Sequence, residues 1–420
     1  MRRTNRAAAL LLAALLALSC VGCMASTEQL YALPQLSDEY VQLETLIADR
    51  IRSGGEYAAP TEGTNRQTVQ LRDLDGNGEP EAIAFLADGS HTPSVCVYRR
   101  DDEGSYYLFV AIEGVGSAVG SVEYADLTGD GGMELILTWQ LGGDIGLLSV
   151  YSLRAEEQTQ LLSADCAAFL AADLDGDGVS ELFGVEPDRD GGAVTRYDFS
   201  GGGCEESEAP LSDGVEDLLR LRTGVLSDGT AAVFAESRWG EDGLITDVFT
   251  LRDGSLRNIT LGGGGRSPTL RQANAFAEDV NGDRALEIPD SENGVLFWYG
   301  LDADGDRIPA FATYHDYENG WYLILPEDLA AAGLTVFRSN AVAGESAVTF
   351  TADGGRTPLV AIFTLTGENR EDRAREAGRF VLDRDGSTVY AAELLGPGLT
   401  EDEITESFHR IHPNWQSGVI

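Results

Sequence analysis

No lysine occurs in the chain; all 29 basic residues are arginine. That bias is compositional and carries no functional reading. Against them stand 70 acidic residues, for a formal net charge of −41. Nucleic acid and anionic lipid surfaces both require a cationic face, so neither is an expected partner. Cysteine is scarce at five residues, too few and too unevenly spaced for a disulfide framework or a zinc site. Cys96 lies in the alternating stretch "SVCVY", which fits a buried free thiol, and a Cys166–Cys204 bridge is the alternative pairing. Histidine is scarcer still: His91, His315, His409 and His412. There is no H-E-x-x-H, no G-x-S-x-G and no P-loop, so no familiar hydrolase or nucleotide-binding chemistry is expected. "GVGSAVG" (114–120) resembles a dinucleotide fingerprint only superficially, because it sits between two predicted strands and not before a helix.

Long apolar runs are missing too, except at the start. Arg2, Arg3 and Arg6 precede "AAALLLAALLALSCVGC". A basic head, a short apolar core and a small-residue end make a secretory signal and not a membrane span. The end resembles a bacterial lipobox, "CVGC" (20–23), with Cys23 as the residue to be lipidated and Cys20 an unusual choice three positions before it. That predicts a signal peptide over 1–23 and a mature protein held to the cell surface only by its lipid. An ordinary cut near "MAS" (24–26) is the alternative.

Glycine, by contrast, is abundant, with 50 residues, and much of it recurs in one pattern. "DLDGNGEPEAIAF" begins at Asp73, "DLTGDGGMELILT" at Asp126, "DLDGDGVSELFGV" at Asp173 and "DVNGDRALEIPD" at Asp279. The starts are 53, 47 and 106 residues apart, and the last spacing is twice the first. A degenerate copy is therefore expected near residue 226, where "GVLSDGTAAVFAES" keeps Asp228-Gly229 and the following strand but no acidic cluster. Repeats of this period signal a propeller or an array. Each reads as four short strands punctuated by Gly, Asp and Ser. The expected fold is mainly β: a propeller of about five four-stranded blades over 66–326, with six or seven as the alternatives. A linker and an amphipathic helix (24–65, helix over 37–55, capped by Ser37) precede it. A C-terminal α+β module (327–420) follows, with helical patterns in "ENREDRAREAG" and in "TEDEITESFHRI", which opens on a Thr400/Glu403 capping box. A modified last blade is the alternative for that module.

Carboxylates crowded this closely repel one another, and a bound cation removes the repulsion. Calcium takes six to eight oxygen ligands in a flexible cage. Positions 1, 3, 5 and 9 of the loops supply Asp73, Asp75, Asn77 and Glu81; Asp126, Thr128, Asp130 and Glu134; Asp173, Asp175, Asp177 and Glu181; and Asp279, Asn281, Asp283 and Glu287. Thr128 weakens the second set, and Arg284 replaces a glycine in the fourth. An EF-hand would need a bidentate Glu at position 12, where this chain has Ala84, Leu137, Gly184 and Asp290. A strand also follows each loop where an EF-hand has a helix. "LDADGDRIPAF" (301–311) imitates the start of a loop but has Ala310 at the ninth position.

On these residues the chain resembles the FG-GAP or VCBS-type repeats of integrin α-subunit propellers and bacterial surface proteins, over roughly 66–290. The resemblance implies about four calcium ions, each held in the loop between the first two strands of a blade, with a mainly structural role. One aromatic stretch (297–322) offers Trp298, Tyr314, Tyr317 and Trp321 as a surface for sugar stacking or a protein anchor; filling of the space between propeller and C-terminal module is the alternative. His409 and His412 fit a helix C-terminus better than a metal site. No catalytic or organic-cofactor residues are identified. The expected function is a monomeric calcium-binding surface lipoprotein that binds or scaffolds a cell-envelope protein or glycan, and not an enzyme. A glycan-active hydrolase on the same scaffold is the alternative.

Overall fold

The computed structural model describes residues 38–411 apart from 143–145, 155–157, 187–191, 242, 263–266, 272–275, 293, 331–332 and 377. The N-terminal segment with Cys20 and Cys23, the Ser37 cap and His412 lie outside the described residues. The strand patterns between Val69 and Leu325 form five antiparallel sheets in chain order. The first pairs Val69–Arg72, Glu81–Ala87, Pro93–Arg100 and Tyr106–Glu113, and the short Glu56–Tyr57 pairs with the far end of Glu81–Ala87, the strand that Val69–Arg72 also joins. The second runs from Ala118 to Cys166, the third from Ala168 to Pro210 and the fourth from Val215 to Asn258, each as a four-stranded meander. The fifth runs from Ile288 to Leu325 and gains Phe408–Arg410 from the C-terminus as a fifth strand.

The sheets stack face to face in sequence order. Ile83 and Phe85 of the first share a core with Leu135, Leu137 and Trp139 of the second. Ile136, on the opposite face of that same strand, packs with Leu182 of the third. Phe183 and Val185 meet Val233, Ala235 and Phe249 of the fourth, and Phe234 and Val248 meet Ile288 and Tyr299 of the fifth. Period-two alternation sends successive side chains into different cores. A strand between two neighbours is therefore apolar on both faces, which is why "EAIAFLA" is buried along its whole length. The link between the first and second sheets is the first part of "GVGSAVG": residues 114–117 turn the chain, and residues 118–120 already belong to the next strand. Gly116 has φ +75° there, and a Cβ on it would lie 1.9 Å from the Gln140 carbonyl oxygen.

The C-terminal region is a sixth antiparallel sheet. Its spatial order is Thr335–Val342, Glu345–Ala352, Thr357–Thr366, Thr388–Leu394, Arg379–Asp385. It shares a core with the fifth sheet through Tyr314, Trp321, Leu323, Phe350, Ile362 and Tyr390. The two expected helices shorten to a single turn, Arg370–Arg373, and to about two turns, Glu401–Ser407. The second keeps its capping box, with Thr400 Oγ1 accepting from Glu403 N and Glu403 Oε2 accepting from Thr400 N. At the other end of the stack, helix Asp38–Arg52 lays Leu43 and Ile47 on Ala82, Ala84, Cys96 and Tyr98 of the first sheet. Among the described residues no core joins the first sheet to the sixth. The architecture is propeller-like in its stacking, with a helix capping the first face. Cys96 and Cys166 are buried free thiols and Cys204 is an exposed one, so the Cys166–Cys204 bridge does not form.

Candidate metal centres

All four acidic loops adopt one conformation, and the sequence pattern explains it position by position. The Asp at position 1 folds the loop around its own carboxylate. Asp73 Oδ1 accepts from Gly76 N (2.9 Å) and its Oδ2 from Gly78 N (2.8 Å). Asp126, Asp173 and Asp279 accept from the same two positions of their loops. Position 5 then accepts from the amide of position 7 through Asn77, Asp130, Asp177 and Asp283. Position 3 accepts from position 5 in the first, third and fourth loops, through Asp75, Asp175 and Asn281. Positions 4 and 6 lie in the left-handed region in every loop, which glycine enters without steric cost. Arg284, at φ +82°, is the one side chain forced into it.

In the first three loops the ninth-position glutamate opens the second strand of its sheet, and in the fourth Glu287 immediately precedes the sheet's first strand at Ile288. Glu81, Glu134 and Glu181 each accept the backbone N–H of the loop's second residue, Leu74, Leu127 or Leu174, at 2.7, 2.9 and 2.8 Å. That second residue is a buried plug in all four loops, with Val280 in the fourth. All four glutamates are buried. Burial raises each carboxyl above its ordinary range, and Glu287, with Asp283 and Asp279 adding repulsion, is pushed up to about 8.

Carboxylate oxygens of Asp73, Asp75 and Glu81 lie within 4.8 Å of one another, as do those of Asp173, Asp175 and Asp177. These two clusters could hold a metal ion. In the second and fourth loops Thr128 and Asn281 supply a neutral oxygen at the third position.

The loops also tie successive sheets together. The position-8 amides of Met133, Ser180 and Leu286 donate to the carbonyls of Leu74, Asp126 and Val225 in the preceding sheet, at 3.0, 3.0 and 2.9 Å. Loop order is thus coupled to sheet packing. The fourth sheet lacks the acidic loop, as expected near residue 226. A tight turn replaces it, with Thr230 N donating to Asp228 Oδ1. In its place a buried ion pair, Glu236–Arg271 at 3.3 Å, anchors the segment that leads to the fifth sheet.

Arginines at the loops were not anticipated from the sequence. Arg196 donates to Glu181 Oε1 through Nε (3.0 Å) and Nη2 (2.8 Å). Arg99 lies 3.8 Å from Asp75, and Arg154 pairs with Asp130 at 2.6 Å. Their sequence signal is faint: each sits near the end of the third strand of its sheet. The imitation loop at 302–306 is a hairpin turn in which Asp302 Oδ1 accepts from Asp304 N and Asp306 N, and Asp304 pairs with Arg252.

Three of the four expected ligand aromatics are core residues. Trp298 is 2%, Trp321 0% and Tyr314 5% exposed. Trp298 Nε1 donates to Thr313 Oγ1 at 2.7 Å, and Tyr314 sits edge-on to Phe350 of the sixth sheet. Tyr314 and Trp321 fill the junction with the sixth sheet, Trp298 packs against Val280, Leu296 and Tyr322, and of the four only Tyr317 reaches the surface. His409 stacks on Tyr322 at 5.0 Å. Beside this core is an open cleft of about 610 Å³ lined by Glu292, Val295, Phe297, Leu334 and Val336.

No family model matches the chain, and no curated protein does. Among solved structures, an exotype rhamnogalacturonan lyase YesX aligns over 81% of this chain and 73% of its own, at 12% identity and TM-score 0.27. The AfRom2 CNH domain aligns over 81% and 99%, at 10% and 0.26. TolB from Acinetobacter baumannii aligns over 66% and 71%, at 12% and 0.23. At such scores the fold assignment rests on the sheets themselves.

Proposed function

We propose that this protein is an exported calcium-stabilised sheet-repeat protein that works as a non-catalytic binding or scaffolding module at the cell envelope. The observation that carries the reading is one backbone conformation repeated in four acidic loops, two of which bring three carboxylates within 4.8 Å of one another. The likeness of those loops to FG-GAP or VCBS-type repeats supports the same assignment, with Asp73, Asp75, Asn77 and Glu81, and their counterparts in the other three loops, as calcium ligands. The ions then act as fasteners between sheets. A site held at ten times its dissociation constant adds about 1.4 kcal/mol to stability, and about four such sites together match the stability of an ordinary domain.

The basic and apolar N-terminal segment supports export, and Cys23 supports a lipid anchor. We assign the cleft beside Phe297 to the protein or glycan ligand, since it is an open, mixed surface in which Phe297, Leu334 and Val336 lie beside the Glu292 carboxylate. Thermal unfolding with calcium or with excess chelator tests the central part. The melting temperature is expected to fall by many degrees on chelation; an unchanged melt removes the calcium assignment.

A further inference from the structure

We propose, resting on the calcium reading above, that the four loops are unequal: the fourth, Asp279 to Glu287, depends on a bound divalent cation, whereas protein groups already perform that role in the other three. In the third loop the Arg196 guanidinium, itself 5% exposed, sits against Glu181 and lies 4.0 Å from Asp175. In the first, Arg99 faces Asp75 and donates to the Leu153 carbonyl of the next sheet. In the second, Glu134 accepts from Leu127 N and from Thr128 Oγ1 (3.5 Å), while Arg154 neutralises Asp130.

The fourth loop has no such arginine, and Glu287 keeps just the equivalent backbone hydrogen bond, from Val280. Its three carboxylates make no ion pair among the described residues, and its own Arg284 is exposed. Glu287 is 2% exposed, yet its Oε2 has no hydrogen-bond partner. The cause lies across the strand. One step beyond the pairs Ala82–Tyr98 and Leu135–Tyr151, Glu81 faces Arg99 and Glu134 faces Ser152. One step beyond Ile288–Tyr299, Glu287 faces Gly300. The residue there has no side chain to offer, and a Cβ on Gly300 would lie 1.9 Å from Ser227 Oγ, which would have to move. A buried acceptor oxygen left without a donor costs free energy. Asp283 and Asp279 lie near enough to repel it, and with Asn281 the loop offers oxygen atoms of the kind a hard divalent cation takes, but its carboxylates are not drawn within 4.8 Å of one another as those of the first and third loops are.

The test compares calcium-dependent thermal unfolding of the full chain and of the variants E287Q, D283N and E181Q, with calcium uptake followed by calorimetry. Wild type is expected to gain thermal stability with calcium, E181Q to keep most of that gain, and E287Q and D283N to lose most of it. If E181Q loses as much as E287Q while wild type still takes up calcium, the loops are equivalent and this inference is overturned, with the calcium reading intact. If wild type takes up no calcium, the calcium reading itself is overturned.

Discussion

Replacing Glu287 with Gln should stabilise the calcium-free protein in a strongly pH-dependent way and destabilise the calcium-loaded protein. The Glu287 carboxyl moves from an ordinary value of 4.5 to about 8 in the folded chain. Burial is the main cause, and the side chain is 2% exposed, so solvent screens little of the effect. Between those values the folded state holds a proton that the unfolded state has released. Stability is therefore greatest below the unfolded value, falls as pH rises through this window and levels off above the folded value. At 1.36 kcal/mol per pKa unit the ceiling is about 5 kcal/mol, and about 3 kcal/mol of it is reached by pH 7. Glutamine carries no proton equilibrium, so E287Q should escape this loss. Urea unfolding in excess chelator at pH 5 and pH 8 measures it: the stability difference between E287Q and wild type should widen by several kcal/mol from the lower pH to the higher. Added calcium should reverse its sign, because the ion replaces the proton. Parallel pH profiles for the two proteins without calcium would refute the reasoning.

Arg284→Gly relieves the left-handed backbone at the sixth loop position, where the other loops have Gly78, Gly131 and Gly178. A net gain of about 1 kcal/mol is expected in denaturant unfolding, after the entropic cost of glycine is set against it. His315 is buried beside Thr313 and is held down to about 3. The unfolded chain takes up a proton there below about 6.5 that the folded chain refuses. Stability should drop as pH falls from 6.5 toward 3, by up to about 5 kcal/mol, and H315N should flatten that acid limb in pH-dependent melts. Cys23→Ser should move the exported protein from the membrane to the soluble fraction on cell fractionation. Continued membrane association would remove the lipid anchor from the account.

The loops were legible because each position has its own backbone task. Asp is required where one carboxylate collects two amides, Gly where φ is positive, and Glu where the strand after the loop begins. The following apolar run reported burial on both faces and so the stacking of sheets. The degenerate fourth copy was legible from spacing alone. Most strands of the sixth sheet were legible too, in "AVTFTA", "LVAIFTLTG" and "GRFVLDRDGSTVYAAELL"; its first strand, Thr335–Val342, and its spatial order were not. The helical pattern in "ENREDRAREAG" is kept only over Arg370–Arg373, where Arg373 donates to the carbonyls of Ala343, Gly344 and Thr366, and Arg379 pairs with Glu345 at 3.0 Å. The aromatic stretch misled for a related reason. Alternation in "VLFWYGL" places Trp298 inward and leaves Phe297 half-exposed, but only the presence of a covering sixth sheet determines that Tyr314 and Trp321 are core. The arginines at the loops come from cross-strand register, which spacing along the chain does not encode.

The most direct test of the whole account is calcium titration calorimetry on the full chain after exhaustive chelation. Saturable uptake, with a first ion bound more tightly than any that follow and that tight phase missing from E287Q, is the predicted result. No uptake at extracellular calcium levels, from a protein that is otherwise folded, would contradict it.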